Sequence, residues 1–416
     1  MTLYPRFRHT KSSLLCHTNR SCLWRAGDSV LCQAGTKYDD GRSYAGPLHR
    51  WIRSGLACSP DGGIGRCVGL KIDGTHGTGF CLPSAPQSGV HYGDLVSGVF
   101  LKPVHKVPVM DRKRRIYAAA AIGLSAAIFF VAMTRETLFD ATTDMEFWWR
   151  ASRLWLHGVD PFLARPHTAI WPLPDRLYYP MPALIFMVPF AELSLRIAGA
   201  FFVGASSAWL CWMLSESGAW RLWLLATPAF VMAVRLGQWS PLITAAALVP
   251  SAGFLLSSKP TLGLAAFFYH PRWRAAIGIA VVLAVSVAVL PTWPVEWLSN
   301  LHSVRSHPAP IATPFGWLLL LALLRWRQPE ARLLVAMACV PQLLFFADQL
   351  VLGLVARTKA EAEFYAGCGI AASLVWLLRL SPHDPNLTGL AAPYVMLGCY
   401  LPALALVLHR PDEGVA

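Results

Sequence analysis

The chain has 416 residues, 55% of them hydrophobic and only 14% charged, with a formal net charge of +13. So little polar surface cannot wrap a soluble globule of this size, and the excess apolar surface is expected to face lipid. The positive balance does not mark a nucleic-acid partner, because the basic residues fall in short clusters between apolar runs instead of one patch or recognition helix.

Two regions are expected, residues 1–109 and 110–416. The first contains no Glu and no membrane-length apolar run. It also carries Cys16, Cys22, Cys32, Cys58, Cys67 and Cys81, yet no CxxC pair and no His at zinc-finger spacing. Gly62-Gly63-Ile64-Gly65 lacks the Lys-Ser/Thr that a phosphate loop needs and reads as a flexible turn. At Met110 the character changes: Asp111-Arg112-Lys113-Arg114-Arg115 precedes an apolar run, which is how an inner-membrane protein commonly begins. Residues 1–109 are therefore read either as a translated upstream or disordered extension, or as a small cytoplasmic domain.

From there the chain alternates apolar and polar segments. A bilayer core needs roughly 20 apolar residues in a helix. The clearest runs are 117–134, 275–291, 333–347, 364–378 and 387–408; 182–195, 197–214, 220–234, 241–256, 260–269 and 311–324 are blurred by Pro, Gly or shortness. The expectation is an all-α polytopic transmembrane bundle of about ten to twelve spans. The basic clusters at 111–115, 270–274 and 325–327 place those turns and the N-terminus in the cytoplasm, in a multi-pass protein of the plasma (inner) membrane. Seventeen Trp suit the headgroup level. Cys211, Cys339, Cys368 and Cys399 fall in the apolar runs, where a free Cys acts as a small hydrophobe.

Between the first two runs lies a loop, residues 135–179, too long for a plain connector. Thr143-Asp144-Met145-Glu146 reads as a capping box, with Thr143 at the N-cap and Glu146 answering its amide. Phe147, Trp148, Ala151, Leu154 and Trp155 then share one face, Arg150, Arg153 and His157 the other, and Gly158 supplies a stop. The pattern predicts an amphipathic helix lying on the outer membrane surface, with Asp144 in its first turn. A carboxylate there is placed to take a proton; the ordinary alternative is a negative residue favoured at any helix start.

The string Asp144, Phe147, Trp148, Trp149, Ala151, Arg153, Gly158, Asp160, Pro161, Phe162 resembles the first-loop signature of the polytopic GT-C glycosyltransferases, closest to the family-eighty-seven mannosyltransferase-like proteins. Tyr179-Pro180-Met181-Pro182, Gly237-Gln238 and Lys259-Pro260 resemble that family's later motifs in the same order, and the likeness runs from about residue 110 to 408. Two departures are Ser240 near an expected Asn, and about twenty residues between Gly237-Gln238 and Lys259-Pro260 where the family fits a whole helical hairpin.

The resemblance implies inverting transfer of a mannose-like hexose from a polyprenyl-phosphate donor to a glycolipid or glycan acceptor at the extracytoplasmic face, with membrane lipids as surroundings and no cofactor. Such transfer needs a base for the acceptor hydroxyl, here Asp144, and donors for the leaving phosphate, for which Lys259, Arg153, His302 and Arg305 are candidates. Gln238 is a candidate for a sugar hydroxyl, and Asp160 and Tyr179 are further substrate-binding candidates from the motifs. Each has an ordinary alternative: Lys259 as a positive charge at a span end, His302 and Arg305 as solvated loop residues, Gln238 as a partner for backbone groups. Asp348, with Gln349, reads as a span end or cavity lining and not as a participant in catalysis. No metal is expected, since Asp140 and Asp144 supply too few oxygen ligands. No Rossmann-like nucleotide-sugar fold is visible either. The rival classes are a transporter or lipid flippase and a non-catalytic partner in envelope assembly.

Overall fold

The computed structural model describes residues 110–134, 143–303, 307–380 and 389–410, and two small strand pairs nearer the N-terminus. The chain divides into two units, Met1–Phe100 and Leu101–Ala416, each taken by itself. In the first, Leu14–Leu15 pairs in parallel with Cys32–Gln33, and Ala57–Cys58 pairs antiparallel with Ile64–Gly65. In the second, every regular element among the described residues is helical.

Its first helix, Arg112–Met133, starts where Asp111 accepts a hydrogen bond from the Arg114 amide at 2.9 Å. It packs along Leu195–Glu216 through small residues. A Cβ at Gly123 would stand 2.8 Å from Ala208 Cβ and from the Gly204 carbonyl, so the two backbones meet at a distance only glycine permits. Arg115 is not merely a topogenic charge. Its guanidinium stacks on Trp212 and donates to the Trp212 carbonyl at 2.9 Å.

Among the described residues, four helices are long and apolar enough to cross a membrane: Arg112–Met133, Leu195–Glu216, Lys359–Arg379 and Gly389–His409. Two bent pairs raise the count to six, Ala219–Ala226 with Pro228–Leu236 at 61° and Trp273–Val289 with Trp293–His302 at 97°. This corrects the expected ten to twelve. The apolar runs at 182–195, 241–256, 311–324 and 333–347 exist, but helices of only 7 to 11 residues form within them. Proline explains most of the breaks, since it lacks an amide donor and pushes the preceding residue out of the helical region. Pro189, Pro228, Pro250, Pro260 and Pro341 each fall at or near such a boundary.

The segment 218–270 resolves into five short helices in series. At its centre Ser240–Leu248 runs out, Val249 turns in extended conformation, and Pro250–Ser258 packs back against it. This abbreviated hairpin fills the roughly twenty residues where the family likeness calls for a longer one. Its consequence is that its two ends, Gln238 and Lys259, come together.

A second ionic cluster ties the later helices. The buried Glu330 carboxylate receives Arg357 Nε at 2.7 Å and Nη2 at 2.6 Å, a two-pronged bond. Arg410 lies 3.7 Å from Glu330 and 2.5 Å from Glu361, and donates to the Val355 carbonyl at 2.5 Å. Glu361 also takes the Arg357 amide at 2.6 Å. Helices Pro329–Cys339 and Lys359–Arg379 and the C-terminal helix are thereby joined by two cations and two anions.

Candidate functional site

The helix Asp144–Leu156 begins and ends where the residue pattern requires. Gly158 adopts φ +75°, its amide donates to the Trp155 carbonyl at 3.0 Å and the Val159 amide to that of Leu154 at 3.0 Å, so the helix closes in a Schellman motif. Its start differs from the expected capping box. Thr143 is the N-cap, but its hydroxyl makes no capping bond and is buried without a hydrogen-bond partner. Arg150 claims the Glu146 carboxylate at 2.9 Å, one turn along the helix, and so removes the reciprocal half of the box.

Protein covers much of this helix. Trp148 and Ala151 are fully buried; so is Ser152, which donates to the Leu184 carbonyl at 3.0 Å, and the Trp149 indole donates to Leu193 at 3.1 Å. The helix is docked into the bundle, against Met181–Met187 and Leu195–Glu216, and does not simply lie on a surface.

This docking sets Asp144 among residues from four other places in the chain. Lys259 Nζ donates to Gln238 Oε1 at 2.9 Å and stands 2.6 Å from Asp348 Oδ1. The same ammonium lies 5.9 Å from the centre of the Tyr179 ring. Tyr179 in turn meets the Trp148 ring at 4.6 Å, and Trp148 meets Trp239 at 5.5 Å, giving the site an aromatic wall. Gln238 is 3% exposed and Asp348 5%, so both polar groups are withdrawn from solvent.

Burial pushes the Asp144 carboxyl up to about 6. The Lys259 charge opposes that rise, the Asp348 charge adds to it, and a hydrogen bond from the Tyr178 side chain lowers it. Desolvation wins, and the result is a carboxylate poised near neutrality, the range in which a general base works best. Burial and the nearby Asp144 charge also hold the Tyr178 and Tyr179 hydroxyls well above the ordinary tyrosine range, so both act as neutral donors.

Gly237 explains why the site can close. It ends helix Pro228–Leu236 in the left-handed conformation, φ +68°, and a Cβ there would lie 2.7 Å from Met145 Cβ. Glycine alone lets the turn bearing Gln238 press against the first turn of the Asp144 helix. Ser240, the departure from the family pattern, has its own task. Its hydroxyl donates to the Ala347 carbonyl at 2.6 Å and so fastens the start of Phe346–Val355, and with it Asp348, beside Gln238.

Of the residues singled out in the sequence, Asp144, Tyr179, Gln238 and Lys259 come together. Arg153 is exposed and stacks on Trp149 at 5.8 Å. Asp160 accepts the Phe162 amide at 2.9 Å and faces Glu296, shaping the loop. His302 is exposed and bonds the Leu298 carbonyl at 2.7 Å within its own helix. Arg305 and Asp140 lie outside the described residues. One group joins the site that was not selected, Asp348, through its 2.6 Å contact with Lys259. Among the described residues no three His, Cys, Asp or Glu side chains gather where they could hold a metal ion.

No protein family, curated protein or solved structure matches this chain.

Proposed function

We propose that this protein is a plasma-membrane glycosyltransferase that moves a hexose from a polyprenyl-phosphate carrier to a hydroxyl of a glycolipid or glycan acceptor at the extracytoplasmic face, with inversion. One observation carries the reading. Asp144, Tyr179, Gln238 and Lys259 belong to separate motifs along the chain, and they meet around a single half-buried ammonium.

In the proposed reaction the acceptor oxygen forms a bond to the anomeric carbon while the carbon–oxygen bond to phosphate breaks. The electron pair leaves with the phosphate, and the acceptor proton passes to Asp144. A hydroxyl is a weak nucleophile until its proton is taken as the bond forms, and a carboxylate near pKa 6 is ionised at neutral pH yet basic enough to take it. Charge gathers on the leaving phosphate, which needs a donor held ready. An ammonium has three N–H donors, and Asp348 and Gln238 engage two of those of Lys259. The third is the donor assigned to the phosphate. The Trp148 and Trp239 indole N–H groups are buried without hydrogen-bond partners and are further donors in the same wall. Apolar helices long enough to cross a bilayer support the membrane setting, and the basic clusters support a cytoplasmic N-terminus for the first span.

The test is a membrane preparation given a labelled polyprenyl-phosphate sugar. Wild type should show donor-dependent transfer, and Asp144→Asn should lose about 10²–10⁴-fold while inserting normally. Equal label incorporation by both proteins would reject the assignment.

A second reading has a specific observation behind it. A buried lysine–aspartate pair beside a carboxyl near pKa 6 is also what a proton-coupled carrier would use. Proteoliposomes separate the two: the carrier reading requires proton flux without sugar transfer.

A further inference from the structure

Asp348 touches no reacting atom in the reaction just described, yet it makes the shortest contact that Lys259 has. We infer that Asp348, together with Gln238, is a positioning residue that fixes the direction of the one lysine donor left for the leaving phosphate. This rests on the glycosyltransferase reading and extends it. A lysine side chain is a flexible four-carbon stem, and its ammonium rotates freely unless its donors are engaged. Two acceptors at 2.9 and 2.6 Å, from elements on either side, anchor the nitrogen at two points. Their separation in sequence, 21 residues on one side and 89 on the other, makes the mount rigid only once the bundle has closed.

A purely structural tie explains the pair less well. The junction is already fastened by a neutral bond, Ser240 to the Ala347 carbonyl at 2.6 Å. A buried ion pair is costly to desolvate and seldom stabilises more than well-packed apolar residues do. Asp348 also sits in a helix, Phe346–Val355, whose only other polar side chain is Gln349, and its charge works against that of Asp144. A second carboxylate beside the base therefore needs a reason, and holding the lysine supplies one.

A double-mutant cycle tests this in membranes carrying the full chain, with labelled polyprenyl-phosphate sugar as donor and rates normalised to inserted protein. Asp348→Asn should lower kcat about 10²-fold, the cost of an ångström-scale misplacement. KM should move by less than about threefold, since the effect belongs to the transition state. Asp348→Glu should recover most of the loss. Lys259→Met should cost about 10²–10³-fold, and Lys259→Met/Asp348→Asn should be no slower than Lys259→Met alone, because Asp348 then has nothing to position. Losses that multiply in the double variant overturn the inference. Should Asp348→Asn fail to insert, the comparison of Lys259→Met with the double variant, which leaves no unpaired charge, decides alone. Wild-type rates in Asp348→Asn, with Asp144→Asn inactive, reject the positioning role and keep the functional reading. Absence of transfer in wild type, or full transfer in Asp144→Asn, rejects both.

Discussion

Among the described residues, the ionic clusters around Glu330 and around Lys259 are built on opposite plans. Around Glu330 two arginines face two glutamates, with Arg357 gripping Glu330 by two prongs and Arg410 bridging to Glu361. Charge there is balanced and the contacts join three helices. Around Lys259 one cation faces two carboxylates, only one of which it pairs with closely, and the other, Asp144, is held up at about 6. A balanced cluster is how a bundle is tied together. An unbalanced one keeps a group out of its preferred state, and such departures gather where chemistry is done.

The contrast can be broken by experiment, and the largest effect belongs to the balanced cluster. Glu330→Gln leaves Arg357 and Arg410 short of their anion and should cost about 3–5 kcal/mol of stability, read as a fall in the melting temperature of purified protein. Transfer per folded molecule should stay within about threefold of wild type, because no group near Asp144 is touched. A folded but inactive Glu330→Gln protein would erase the distinction between the clusters.

A smaller effect, of opposite sign, is expected at Asp144. Its carboxyl is raised from 3.8 to about 6, so the folded state holds a proton that the unfolded state has released. The linked stability is fully present below about pH 4 and is lost as pH rises through 6. Asp144→Asn removes that penalty and should raise the stability at neutral pH by about 1–3 kcal/mol, the upper figure being two pKa units and the lower allowing for partial solvent access. A destabilised Asp144→Asn protein would show the carboxylate to be structural. The smallest effect is at Thr143. Replacing an N-cap threonine commonly costs about 1 kcal/mol, but this hydroxyl caps nothing. Thr143→Ala should change stability by less than about 0.5 kcal/mol, and a loss of 1 kcal/mol or more would mean the capping box forms after all.

What could be read from the residues was local. Gly158 ends a helix by turn chemistry that operates over a few residues, and the structure closes that helix as Gly158 requires, whereas Thr143 marks its start without capping it. Gly237 was legible only as part of a motif likeness; its left-handed φ and its close approach to Met145 come from the chain path. Span number was not local in the same sense: hydropathy counts apolar residues, whereas Pro250 and Pro341 decide how many of them stay in one helix. Asp348 was passed over because its partner lies 89 residues away and nothing near it in the chain marks a pair. Arg153 and His302 had suitable chemistry, but helix rotation and a carbonyl one turn back turned them to other partners. The shortened hairpin, a departure in motif spacing, is what brings Gln238 to Lys259.

The central claim is that burial beside Lys259 makes Asp144 the base, and the pH dependence of transfer at saturating donor tests it most directly. The rate should climb about tenfold per pH unit on the acid side, bend near 6 and run level above it, with no such limb in Asp144→Asn. A wild-type profile that is flat from about pH 5 upward, or that bends near the ordinary aspartate value of about 4, would contradict it.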